Sequence, residues 1–287
     1  MNSCYIHALH TWMLGNMPLR QIAECLNSIG FCADLSMYRT GNSSPEKVMQ
    51  LPQNTGSRLG IEVPVCTAMF IGNNMNLSDG KISVRNEAIE FAKNCVEAAA
   101  YVGADRLLVS PSGITTAHRY SISREKDWAT AVESLYEVGT YAQKYGIQLM
   151  IEPINRYRVA LVHTVREAVR MADETGLKNV GVVPDIFHMC MEETEGVTKA
   201  IKSAGKRLLC LHIGSNTRNT PGMDTFEWMP ILQTLKEMNY DGVLSYEPVK
   251  LYFDETRVEK ERDYRDDFLC ELWQAKRFLN RLNEQLK

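Results

Sequence analysis

With 287 residues, 45% of them hydrophobic, and a formal net charge of −3, the chain can bury a large core and offers no basic surplus for tracking nucleic-acid phosphates. No run of about 18 apolar residues is available to cross a bilayer, and the opening Met1-Asn2-Ser3-Cys4-Tyr5 has neither a basic nor a long apolar character, so a cytoplasmic, unexported protein with no membrane partner is expected. The 8 cysteines are scattered without a C-x-x-C pair, which suits a reducing compartment better than a disulfide framework.

In chain order, a first strand is expected around Cys4 to Leu9, and the turn Ile29-Gly30-Phe31 leads into a second around Leu35. A third is placed around Ile61 to Cys66, followed by Gly72 to Lys81, whose Asn and Gly content reads as a long loop over the mouth of the fold. The apolar spacing of Val84–Tyr101 predicts a helix, and Val102-Gly103-Ala104 then introduces a strand from Leu107 to Ser110. A second helix, Glu125–Tyr145, closes on Tyr145-Gly146-Ile147 and gives way to a strand ending at Glu152. Thr164 and Glu167 form a capping box at the head of a helix over Thr164–Thr175, and Thr175-Gly176 precedes a strand from Val180 to Asp185. Ala204-Gly205 precedes Leu208 to His212, and a helix over Trp228–Met238 follows. Tyr240-Asp241-Gly242 precedes Val243 to Glu247, and the charged segment Asp263–Leu286 reads as a last helix. Eight buried strands, each with room for a helix after it, predict one (β/α)8 TIM barrel domain over residues 1–287. An open doubly wound sheet is the competing arrangement, and no G-x-G-x-x-G follows the first strand to support it.

Active sites of such barrels lie at the carboxyl ends of the strands, so the residue that ends each apolar run matters most. Four consecutive runs end on Glu152, Asp185, His212 and Glu247. One acidic residue at a strand end is usually a helix cap or half of an ion pair. Four in succession are different, because three convergent carboxylates repel one another unless a cation neutralises them. One imidazole with three carboxylates is a mostly hard oxygen set, which favours Mn²⁺, with Mg²⁺ or Co²⁺ as alternatives, over a thiolate-type zinc site. Pro153 and Pro248 hold Glu152 and Glu247 in extended backbone. His10, Trp12, Met69 and Phe70, near the ends of early strands, are wall candidates, although rim packing is the more common role for such residues.

The segments Glu152-Pro153-Ile154-Asn155-Arg156-Tyr157, Asp185-Ile186-Phe187-His188-Met189 with Glu192-Glu193, His212-Ile213-Gly214 through Arg218 to Pro221-Gly222, and Glu247-Pro248 together resemble the xylose-isomerase-like barrel superfamily. Within it they are most similar to the ketose 3-epimerases. The resemblance implies that Glu152, Asp185, His212 and Glu247 bind a divalent metal, and that Glu152 and Glu247 also exchange the substrate proton next to a keto-sugar carbonyl. It further implies that His188 and Arg218 hold substrate oxygens. One position departs from the family pattern: a glutamate usually follows the Asn-Arg-[YF] triplet, and here Arg158 stands there, a donor in place of an acceptor that puts the identity of the substrate in question.

Three other readings compete. A lyase-type catalytic subunit cleaving 3-oxo glycosides would begin with the same proton abstraction, and some such enzymes need a small partner subunit; a homo-oligomer is the other assembly open. A phosphodiesterase resembling endonuclease IV would need more histidines at strand ends than His7, His10, His118, His163, His188 and His212 supply. A non-catalytic sugar-binding barrel would have little reason to keep four convergent ligands.

Overall fold

A computed structural model describes residues 5–15, 17–52, 58–72, 74–115, 119–249 and 262–286. Its eight strands are β1 (Ile6–His10), β2 (Cys32–Met37), β3 (Val65–Ala68), β4 (Arg106–Leu108), β5 (Gln148–Ile151), β6 (Val180–Val182), β7 (Cys210–Ile213) and β8 (Val243–Tyr246). All pairings are parallel, in the order β6-β5-β4-β3-β2-β1-β8-β7. Two isolated parallel bridges, Val182 to Leu208 and Asp185 to His212, bring β6 against β7 and make the sheet a barrel.

Helices α1 (Leu19–Ile29), α2 (Pro45–Met49), α3 (Ile82–Val102), α4 (Arg124–Gln143) and α5 (Val165–Glu174) each follow one of the first five strands. Then α6 (Ile186–Glu192) and α7 (Val197–Ala204) follow β6, while α8 (Met229–Glu237) and α9 (Arg262–Gln285) follow β7 and β8. The predicted helices lie within a few residues of these bounds because their ends are chemically marked. Thr164 accepts from the Glu167 amide while the Glu167 side chain returns the bond, and Gly30 and Gly103 stop their helices in the left-handed region at φ 67° and 85°.

Two expectations are corrected. The third strand begins at Val65 rather than near Ile61, since Pro64 has no N–H for the ladder. The 72–81 segment packs down instead of overhanging the mouth: Met75, Leu77 and Ser78 are buried, and Ser134 of α4 donates its hydroxyl to the Leu77 carbonyl. Gly113 permits this, as a Cβ there would lie 2.7 Å from the Gly72 oxygen. Asn73 and Cys4, within elements named above, lie outside the described residues.

The two-residue period of the strands assembles the site. Ala8, Val65, Leu108, Met150, Val183, Cys210 and Val243 fill one apolar layer of the barrel interior. Two residues further along their strands stand His10, Thr67, Glu152, Asp185, His212 and Ser245, so the layer above the apolar plug is polar throughout that arc. Glu247 follows one step higher on β8.

Candidate active site

One ligand-type atom from each of Glu152, Asp185, His212 and Glu247 lies within 4.8 Å of all the others. His212 Nδ1 is the hub, 3.0 Å from Glu152 Oε1 and 3.8 Å from Glu247 Oε2. Asp185 divides its carboxylate: Oδ1 accepts from the Phe187 amide and caps α6, whereas Oδ2 is buried and receives no properly directed hydrogen bond. Helix cap and inward-facing donor are thus the same residue. Arg218 Nη1 approaches that oxygen to 2.5 Å and Glu247 Oε2 to 3.1 Å, with its guanidinium 4.4 Å over the Phe187 ring. To reach so far inward Arg218 adopts φ 58°, a left-handed conformation that costs a side chain about 1–2 kcal/mol and is held here by Ser215, whose carbonyl accepts the Arg218 amide.

Burial pushes the Glu152 carboxyl up to about 8, and the neighbouring Glu247 charge pushes the same way. Asp185 rises to about 7, again from burial, with Arg218 opposing. Glu247 is largely desolvated too, which pushes it up, but Arg218 and then His10 and His212 hold it well below the ordinary carboxylate range. The difference has a geometric cause, since Arg218 touches Glu247 and not Glu152. Burial and the Arg218 charge together depress His188, which is therefore neutral. Glu152, which keeps its proton for want of a touching counter-charge, and an Asp185 Oδ2 that receives no directed hydrogen bond although Arg218 lies beside it are what a divalent cation site of mainly oxygen donors presents.

The floor of the site was not legible in the sequence. Asp34, fully buried in β2, accepts the Thr67 and Ser245 hydroxyls at 2.8 and 2.7 Å and lies 3.3 Å from His10 Nε2. His10 in turn sits 3.2 Å from His212 Nε2 and 3.4 Å from the Ser36 hydroxyl. The signal available was a lone acid inside the apolar run Ala33-Asp34-Leu35. Trp12 donates its indole N–H to Glu247 Oε1 at 3.1 Å, a role that rim packing does not describe. Of the other wall candidates Met69 lines the cleft, but Phe70 is buried in the outer core against Phe91.

The cleft above these groups has a volume of about 590 Å³, within the usual range for small-molecule sites. His188, Arg218 and Arg158 all line it, as do Tyr157, Met191 and Val249. The turn carrying Asn155 and Arg158 is anchored by Glu192, whose buried carboxylate accepts the Arg156 amide at 2.8 Å and its guanidinium at 2.7 Å. Arg156 itself is 62% exposed, so the charge attraction is screened and the hydrogen bonds to the buried carboxylate carry the effect. Glu192→Ala is expected to lower unfolding stability by about 1.5–3 kcal/mol in urea titration. A shift of only a few tenths would mean that the turn holds without this anchor.

Comparison with known proteins agrees with this architecture. A family model described as a xylose isomerase-like TIM barrel matches residues 41–271. A D-psicose 3-epimerase of Enterocloster bolteae is 37% identical over 131 residues, 45% of this chain and 43% of that protein. A 3-dehydro-D-guloside 4-epimerase of Escherichia coli is 30% identical over 125 residues, 44% of this chain and 47% of the other. The chain thus spans less than half the length of these curated relatives in the matched region. Over nearly its whole length it shares the fold of a crystallised D-psicose 3-epimerase from Clostridium cellulolyticum, with a TM-score of 0.81 at 21% identity, covering 97% of this chain and 99% of that one.

Proposed function

Because the chain belongs to the xylose isomerase-like TIM barrel family, we propose that it is a metal-dependent epimerase of ketose 3-epimerase type, moving a proton at the carbon beside a keto-sugar carbonyl. The observation that carries this reading is the pair Glu152 and Glu247, within 4.8 Å of each other through their nearest ligand atoms and driven to opposite proton affinities. Two carboxyls whose environments part their pKa values are the arrangement that acid–base catalysis at one carbon requires. Glu152, Asp185, His212 and Glu247 would hold the ion, Mn²⁺ being the best match to the donor set with Mg²⁺ and Co²⁺ as alternatives. When bound, the ion supplies Lewis acidity to the carbonyl.

The rest is the work of the protein's own side chains. Ionised Glu247, oriented by Trp12 and Arg218, accepts the proton from the substrate carbon, and Glu152, which takes up a solvent proton once the substrate is bound, returns one from the other face. In the opposite direction the two exchange roles. Asn155 Oδ1 accepts the Tyr157 amide, so its Nδ2 faces His188 Nδ1 at 2.8 Å and the imidazole proton falls on Nε2. That Nε2–H and Arg218 Nη2 then meet donor to donor at 3.3 Å. A substrate oxygen between them satisfies both, which is the basis for assigning His188 and Arg218 to substrate binding.

Incubation with ketoses and 3-oxo glycosides in D₂O, with Mn²⁺, Mg²⁺ or Co²⁺ supplied in turn, tests the proposal. Deuterium should enter the carbon adjacent to the carbonyl, with inversion, and chelation should stop it. Exchange ending in release of an aglycone would instead make the enzyme a lyase on 3-oxo glycosides. Binding without any exchange would leave a sugar-binding barrel.

A further inference from the structure

We propose that Arg158 is the anchor for an anionic group on the substrate, so that the enzyme's proper substrate is an acidic keto sugar, bearing a carboxylate or phosphate away from its reacting carbonyl. The proposal rests on the reading of the site given above and narrows it. Its basis is the distribution of charge in the cleft. At the inner end lie Asp34, Glu152, Asp185 and Glu247, and Arg218 there is paired through Nη1 with Asp185 and Glu247. Toward the opening the signs reverse. Arg158 lines the same cleft, is exposed, and its guanidinium has no carboxylate or carbonyl partner among the described residues.

The surroundings of Arg158 hold its backbone and leave its head free. Its amide donates to the Asn155 carbonyl at 2.9 Å, and its own carbonyl accepts the Thr115 amide at 3.0 Å. The preceding residue pair is pinned through Arg156 and Glu192. The cleft it lines also carries the apolar Ile71, Ile114 and Met191, and a ligand that fills the cleft displaces water that would compete for the guanidinium. A neutral polyol offers this fork one or two weak acceptors, whereas a carboxylate or phosphate engages two N–H groups in parallel with opposite charge.

The test compares a 2-ketohexose with its 6-carboxylate and its 6-phosphate, measuring solvent deuterium exchange by the Mn²⁺-loaded protein. At least one anionic substrate should exceed the neutral sugar in kcat/KM by about tenfold or more, equivalent to about 1.4 kcal/mol, and the better of the two identifies the anion. In Arg158→Gln that ratio should collapse toward one, chiefly through KM, while Arg158→Lys should keep part of it. The ratio should also shrink with added salt. A native ratio near one, or an unchanged ratio in Arg158→Gln, would overturn the proposal. Failure of the catalytic reading is recognised separately, as absence of exchange on every sugar. In that event calorimetry with gluconate and glucitol decides, since only gluconate should bind more tightly to the native protein than to Arg158→Gln. Equal affinities would again overturn it.

Discussion

Glu247→Gln should lower turnover by at least about a hundredfold, the usual scale for losing a general base. The substitution keeps the shape of the side chain but leaves one oxygen where Trp12 and Arg218 now address two, each at 3.1 Å, and it removes the group that takes the substrate proton. Metal content measured alongside separates loss of chemistry from loss of the ion. Glu152→Gln divides the reaction further: exchange from the Glu247 face should outlast formation of the inverted product, because Glu152 is the partner that delivers a proton to the opposite face. Near-normal turnover in metal-replete Glu247→Gln would move the base elsewhere in the cleft.

Metal affinity is expected to climb steeply between about pH 6.5 and 8, by about tenfold per pH unit for each proton displaced. Folded, ion-free protein keeps protons on Glu152 up to about 8 and on Asp185 up to about 7, whereas both groups have ionised in the unfolded chain above their ordinary values of 4.5 and 3.8. The native state then holds more protons, so its stability falls as pH rises through this window. His7, depressed to about 4, and His188, also depressed, act in the opposite sense. They do so only below their ordinary value of 6.5, and above it both are neutral in either state. Scanning calorimetry of chelated protein should therefore show Tm decreasing from pH 6.5 to about 8, with a widening gap to the Mn²⁺-loaded form. A gap that stays constant with pH would show that these carboxyls are already ionised before the ion binds.

How far the sequence was readable depends on the range of the interactions involved. Glu152, Asp185, His212 and Glu247 stand out because each ends an apolar run, and a parallel strand buried on both faces makes that ending conspicuous. The strand count and the helix ends were legible for a similar local reason, namely glycine stops and the Thr164 capping box. Asp34 was not, because its meaning comes from Ser245, 211 residues away, and Thr67 on the adjacent strand. Arg156 and Glu192, 36 residues apart, present the same difficulty. The folding-down of residues 75–78 depends on the bare Cα of Gly113, which no composition rule picks out from other loop glycines.

The ring of strands has one thin place. Between β6 and β7 there is no continuous ladder, and the backbone there is joined by Leu209 N–H to Val182 O at 3.1 Å and His212 N–H to Pro184 O at 2.9 Å. Asp185 and His212 face each other across that gap. An ion gripping both would act as a clasp on a bracelet, fastening the two free ends of the sheet where main-chain bonding is sparsest. Its removal would then loosen the wall as well as empty the site, so that loss of catalysis and local fraying would share a single origin.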